Sequence, residues 1–226
     1  MDRECKAFFF GDSICFGQGV SPHQVWVARI AADLAATFAD AAITVQNPSV
    51  NGNTTRAALE RMPYDVQAHR PDVLIVQFGM NDCNFWETDH GHPRVSPDAF
   101  MANLREIIHR GRLCGAKEVL LGVNHPSTRS SAKLPHANIT YEQSNRRYNS
   151  LIRDVAGIAE VQLVDMERAV DAAVREGATF EEFVLDDGLH LSLKGHQIYF
   201  AEYGAAVKSA VRKVLTQGGA EGAGGV

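Results

Sequence analysis

The apolar residues of this chain fall into two rhythms. Short unbroken runs recur at 7–10, 42–45, 72–78, 118–123 and 161–164. Between them, apolar residues return every three or four positions: Trp26, Ile30, Leu34 and Phe38; Ala57, Leu59 and Met62; Phe100, Leu104, Ile107 and Ile108; Phe200, Val207, Val211 and Val214. Short runs closed by turn residues read as buried strands, and the second rhythm reads as one face of an amphipathic helix. The run Asp72-Val-Leu-Ile-Val-Gln-Phe78 does not alternate, which predicts a central parallel strand buried on both faces. Ser21-Pro22 marks a helix start, and Asn53 or Thr54 caps the helix that Pro63 is expected to interrupt. Pro97 opens another helix, which Cys114-Gly115 closes. Further helices are expected at about 143–157, 167–176 and 194–216.

Strand and helix alternate about five times. That order predicts an α/β fold, a parallel sheet with helices on both faces, in one domain spanning 1–216. Residues 217–226 are mostly Gly and Ala and are expected to form a flexible tail. The polar stretch 124–141 is long for a connection, and such loops usually serve a function.

The chain has 226 residues, 45% hydrophobic and 22% charged, the balance of a globular protein. A net charge of −5 gives no reason to expect nucleic acid or an anionic membrane as partner. The polar start, residues 1–6, leads into only a short apolar run, and no run approaches the length of a membrane span. The expectation is a cytoplasmic protein without membrane insertion; assembly into a homo-oligomer stays open. Cys5, Cys15, Cys83 and Cys114 are widely spaced and read as free thiols.

Candidate chemistry gathers where the strands end. Gly11-Asp-Ser13 follows the first strand, and Ser13 is a candidate nucleophile. A serine hydroxyl is weak alone and needs a base. His190 is the natural base, and Asp187 lies three residues before it. Within one turn, that spacing lets the carboxylate hold one ring nitrogen while the other faces the serine. Gly52, in Asn51-Gly-Asn-Thr-Thr55, offers a backbone N–H that a substrate can approach. Asn81, in Gly79-Met-Asn-Asp82, offers a side-chain amide. With the Ser13 N–H they make an oxyanion hole. Asp12 and Asp82 are assigned to holding loops through backbone N–H groups. Phe85 and Trp86 are candidate walls of the substrate pocket, or else core, and His125 is a candidate lining residue. His90-Gly-His92 lacks the accompanying carboxylates or cysteines of a metal site, and Arg146-Arg147 reads as a solvated helix face. No metal or cofactor is called for.

In isolation, each of these tripeptides would be an ordinary turn or cap. Together and in this order they resemble the four blocks of the SGNH (GDSL-type) hydrolase family, over nearly the whole chain. The resemblance implies a flavodoxin-like three-layer α/β/α sandwich around a five-stranded sheet, with Ser13, Asp187 and His190 as triad and Ser13, Gly52 and Asn81 as oxyanion hole. It also implies ester or thioester hydrolysis without a metal. The expected substrate is a small or medium carboxylic ester, with an O-acetyl ester of a sugar first. A thioesterase or lysophospholipase is the alternative, and a non-catalytic binding module is the rival outside enzymes. No Gly-x-Ser-x-Gly occurs, so a nucleophile elbow is not expected.

Overall fold

The computed structural model describes residues 3–221. Five parallel strands form one sheet in the order β2-β1-β3-β4-β5: β1 Glu4–Gly11, β2 Ala42–Gln46, β3 Val73–Gln77, β4 Glu118–Val123 and β5 Gln162–Asp165. This is the flavodoxin-like doubly wound order, whose direction of winding reverses between β1 and β3. The crevice beyond that reversal is where the loops after β1, β2 and β3 meet.

The unbroken apolar runs explain why helices cover both faces. Side chains alternate across a strand, so one run feeds two cores. Ala7, Phe9, Val73 and Ile75 face one layer with Trp26, Ile30, Leu34, Tyr199, Tyr203 and Val207. Phe8, Phe10, Leu74 and Val76 face the other with Met62, Phe100, Leu104, Tyr148 and Ile152. Helices α2 (Trp26–Thr37), α6 (Met166–Arg175) and α7 (Leu193–Glu221) build the first layer. Helices α3 (Thr55–Asp65), α4 (Pro97–Leu113) and α5 (Tyr141–Ala159) build the second. A single turn, α1 (Ser13–Phe16), follows β1 directly.

Strand β1 starts at Glu4, ahead of its apolar run, and Ser21-Pro22 opens a short 3-10 turn, Pro22–Gln24, so that α2 begins only at Trp26. Other differences from the expectations have local causes. Pro63 lies inside α3 rather than interrupting it, because it removes one rung near the end of a helix that closes at Asp65 anyway. Helix α5 begins at Tyr141, not 143. Thr140 accepts from the Gln143 N–H at 3.2 Å, and the Gln143 side chain accepts from the Thr140 N–H at 2.9 Å, a reciprocal cap. Helix α7 continues to Glu221, so the backbone of 217–221 is helical where a tail was expected. Residues 222–226 of that expected tail lie outside the described residues.

The stretch after β4 is neither disordered nor free. The Ser127 hydroxyl and the Thr128 N–H both donate to the Gly188 carbonyl, at 3.0 and 3.1 Å. Arg129 Nε donates to the Asp187 carbonyl at 2.8 Å. This segment is fastened to the turn that carries Asp187 and His190. Among the described residues, no helix is long and apolar enough to cross a membrane.

Candidate active site

The site begins with Asp12. Its carboxylate Oδ1 accepts from the Ile14 N–H at 3.0 Å and so caps α1, turning the chain sharply at the end of β1. That turn places Ser13 at the carboxyl edge of the sheet, largely buried. Across the crevice, the 187–190 turn presents His190. The His190 Nε2 lies 2.9 Å from Ser13 Oγ, and its Nδ1 lies 2.5 Å from Asp187 Oδ2. The other Asp187 oxygen accepts from the N–H groups of Leu189 and His190, at 2.8 and 2.9 Å. Burial alone would raise the Asp187 carboxyl. The hydrogen bonds from the His190 ring and from these two N–H groups outweigh it and hold the carboxyl below the ordinary aspartate value.

The loop after β2 is tied to β1, the strand that leads to Ser13. The Val50 N–H donates to the Gly11 carbonyl at 3.2 Å, and Ser49 Oγ donates to the Phe9 carbonyl at 3.0 Å. Arg61 on α3 reaches Gly11 at 3.2 Å and Asn53 Oδ1 at 2.6 Å. Gly52 stands in the resulting turn at φ +74°, a left-handed conformation that favours glycine. Among the described residues, neither the Gly52 nor the Ser13 N–H spends its hydrogen on the fold. The Asn81 amide comes from the loop after β3, with Nδ2 3.3 Å from Asp12 Oδ2. Asp82 accepts from the Thr55 N–H and hydroxyl at 2.9 and 2.6 Å and so anchors the start of α3. Burial pushes the Asp12 carboxyl up to about 7 and that of Asp82 up to about 6. Both aspartates hold loops, as expected from the sequence.

Of the three residues expected to line the pocket, Trp86 alone borders an open hollow. It is half-exposed and shares a polar hollow of about 340 Å³ with Thr54, Arg56, Asp89, His92 and Arg94. Phe85 instead packs into the core layer of Phe78 and Phe100, because its strand-like bridge to Pro93 turns it inward. His125 is fully buried, and both its nitrogens are engaged. A carbonyl only accepts, so Nε2–H donates to the Leu189 carbonyl at 2.8 Å, and Nδ1 then accepts from the Tyr199 hydroxyl at 2.7 Å. Burial lowers the His125 pKa to about 4, so it stays a neutral brace for the turn beside His190.

Cys15 and Cys83 are buried, and burial raises both thiols well above their ordinary value, which keeps them protonated. His90 packs against the His136 ring, and His92 Nδ1 lies 2.7 Å from the Pro93 carbonyl. Among the described residues, no group of three or more His, Cys, Asp or Glu is placed to hold a metal. Arg146 and Arg147 lie on the exposed face of α5, as expected, and Arg146 there pairs with Glu142 at 2.7 Å and Glu167 at 3.2 Å.

Two arginines of the site have no counterpart in the sequence reading. Arg61 binds the β2 loop to Gly11. Arg94 donates through Nη1 to Asn81 Oδ1 at 3.2 Å and through Nη2 to the Gly52 carbonyl at 3.1 Å. No local pattern marks either one, since their partners lie up to 50 residues away.

A serine, a histidine and an aspartate in line beyond a 2-1-3-4-5 parallel sheet define a carboxylic ester hydrolase of the SGNH type. The chain belongs to the GDSL-like lipase/acylhydrolase family, whose model matches residues 9–198. It is 25% identical to an arylesterase of Vibrio mimicus over 186 residues, 82% of this chain and 79% of that one. It is 31% identical to esterase TesA of Pseudomonas aeruginosa over 116 residues, 51% of this chain and 53% of that one. In fold it resembles Axe2, an acetylxylan esterase from Geobacillus stearothermophilus, with TM-score 0.70 and 23% identity over 90% of this chain and 94% of that one.

Proposed function

We propose that the protein is a serine esterase that works through an acyl-enzyme on Ser13. One observation carries the reading: the unbroken relay from Ser13 Oγ through His190 to Asp187, with contacts of 2.9 and 2.5 Å. Asp187 accepts from Nδ1–H and thereby leaves Nε2 as the unprotonated nitrogen facing the serine. Nε2 takes the Ser13 proton as Oγ attacks the ester carbonyl. It then returns that proton to the departing alcohol. Water enters and releases the acid by the same path in reverse. The negative charge that develops on the carbonyl oxygen is met by the Ser13 and Gly52 N–H groups and the Asn81 amide. A strong donor of this kind contributes about 3 kcal/mol.

The substrate reading is a small ester, with an O-acetyl group on a sugar first. The polar hollow of Trp86, Arg56, Arg94 and Thr54 supports it. An exposed indole with charged neighbours suits a hydroxylated ring better than an alkyl chain. The name of the acetylxylan esterase that shares the fold points the same way. A second hollow, of about 390 Å³, favours the alternative of a longer-chain acyl ester or thioester. It is apolar, lined by Phe16, Val20, Pro22, Val25, Val27 and Val45.

Fluorophosphonate labelling tests the chemistry. The expected adduct sits on Ser13 and disappears in Ser13→Ala together with turnover. Unchanged turnover in that folded variant would sink the assignment. A series of p-nitrophenyl esters then separates the substrates: a sharp preference for acetate supports the first reading, and an optimum at about eight carbons or more supports the second.

A further inference from the structure

We propose that Arg94 is a positioning residue that sets both oxyanion donors supplied from outside the nucleophile's own turn, the Gly52 N–H and the Asn81 amide. The inference rests on the oxyanion reading given above. It concerns a residue outside all four sequence blocks.

The argument starts from an ambiguity of the amide group. A primary amide turned by half a rotation exchanges its donor for its acceptor with almost no change of shape. An oxyanion hole built on the wrong orientation would aim a carbonyl oxygen at a developing negative charge. In Asn81 the oxygen faces Arg94 Nη1 at 3.2 Å, and the nitrogen faces Asp12 Oδ2 at 3.3 Å. A guanidinium can only donate, so the oxygen must lie at that end. The Asp12 carboxylate demands the nitrogen at the other end, but only while it is ionised, and burial lifts it to about 7. Arginine stays charged throughout the working range, so Arg94 makes its demand at every pH. One Nδ2 hydrogen is directed to Asp12, and among the described residues the second meets no acceptor.

The same planar cation reaches the residue that carries the second donor, at its carbonyl. Nη2 donates to the Gly52 carbonyl at 3.1 Å, 42 residues away in sequence. Arg94 therefore bridges the loop after β2 and the loop after β3 in one rigid fork. A lysine cannot reproduce this, because the donors of an ammonium all radiate from one nitrogen and form no rigid planar fork. The fork is itself held. The Arg94 N–H donates to the Asn84 carbonyl at 2.8 Å, and the next N–H, of Val95, donates to the Asp82 carbonyl at 3.2 Å. The Trp86 ring lies 4.2 Å from the guanidinium carbon and limits its sideways swing. The irregular stretch from Cys83 to Ser96 thus has a purpose: it returns an arginine to the loop that the chain has just left.

Kinetics of Arg94→Ala, Arg94→Gln and Arg94→Lys on p-nitrophenyl acetate test the proposal, with an alkylboronic acid as a mimic of the tetrahedral oxyanion. Removing one oxyanion donor outright costs ~100-fold to 1,000-fold in kcat, so mispositioning two donors should cost Arg94→Ala ~10-fold to 100-fold in kcat. KM should stay within about threefold, because the loss lies in the transition state. The inhibition constant of the boronate should rise by about the same factor as kcat falls. Arg94→Gln keeps the stem without the fork and should match Arg94→Ala; Arg94→Lys should recover only part of the activity. Added guanidinium should raise kcat in Arg94→Ala and leave wild type unmoved. A kcat within about twofold of wild type in the folded variants would overturn the proposal. So would a loss confined to KM, which would make Arg94 a substrate-binding residue. If wild type takes no fluorophosphonate on Ser13, the esterase reading fails; if wild type labels and the Arg94 variants turn over normally, only this inference fails.

Discussion

Asp12 sits buried beside the proposed nucleophile, and its titration imposes a slope on stability against pH. Its carboxyl is raised from 3.8 to about 7, chiefly by burial. A raised carboxyl binds its proton more tightly in the folded protein than in the unfolded chain. Stability is therefore full below pH 4, falls as the pH rises toward 7, and levels off above that. The gap is about three pK units, and at 1.36 kcal/mol each the full loss is about 4 kcal/mol, of which about 2.5 kcal/mol falls between pH 5 and 8. Asp82, raised to about 6 by its own burial, adds a similar slope that ends earlier. Asp12→Asn removes the first contribution and leaves the second. The substitution also puts an amide where Asn81 Nδ2 now meets an acceptor, so its absolute stability is shifted by a lost hydrogen bond. The slope escapes that offset, since an amide does not titrate. Urea unfolding of both proteins at several values between pH 5 and 8 gives the comparison. Wild type should lose stability across the range by about 2.5 kcal/mol more than Asp12→Asn. Parallel profiles would refute the reasoning and place the Asp12 carboxyl near its ordinary value.

Two further outcomes follow from the acid–base turn. Asp187→Asn keeps the shape of the contact to His190 but frees the imidazole to adopt the wrong tautomer, so kcat should fall ~10³-fold to 10⁴-fold; a loss under ~10-fold would show that the carboxylate does not orient the ring. Gly188 stands at φ +72°, and a Cβ there would lie 2.1 Å from Thr128 Oγ1. Gly188→Ala should lower the thermal midpoint, by ~1–3 kcal/mol of stability, and lower kcat as well. A normal melt with normal turnover would mean that the 127–129 segment does not hold the turn.

How much of this was visible beforehand depends on the range of the forces involved. Strand β4 was legible to the residue, because a parallel strand buried on both faces writes an unbroken aliphatic run into the chain. The placing of Ser13, Asp187, His190, Gly52 and Asn81 in loops and turns was legible because each ends a strand or sits in a turn with its own local signature. Thr140-x-x-Gln143 was also written there as a reciprocal cap, and the start of α5 was nevertheless placed two residues late. The roles of His125 and Arg94 were not legible. His125 follows a strand end as Ser13 and Asn81 do, yet the Tyr199 hydroxyl and the Leu189 carbonyl claim it from far along the chain. Arg94 sits in a stretch with no periodicity, and its meaning comes only from where that stretch returns. Side chains that act on distant backbone leave no rhythm to find.

The contact between Ser13 and His190 joins positions 177 apart, and its brace extends further still, since Tyr199 on the final helix holds His125, which holds Leu189. During synthesis Ser13 therefore emerges early, and the histidine that meets it follows only when almost the last element has been made. An interrupted product ending before α7 would carry all four blocks and still lack the support of the turn that faces the serine. In this architecture the meeting of serine and histidine is a property of the finished chain.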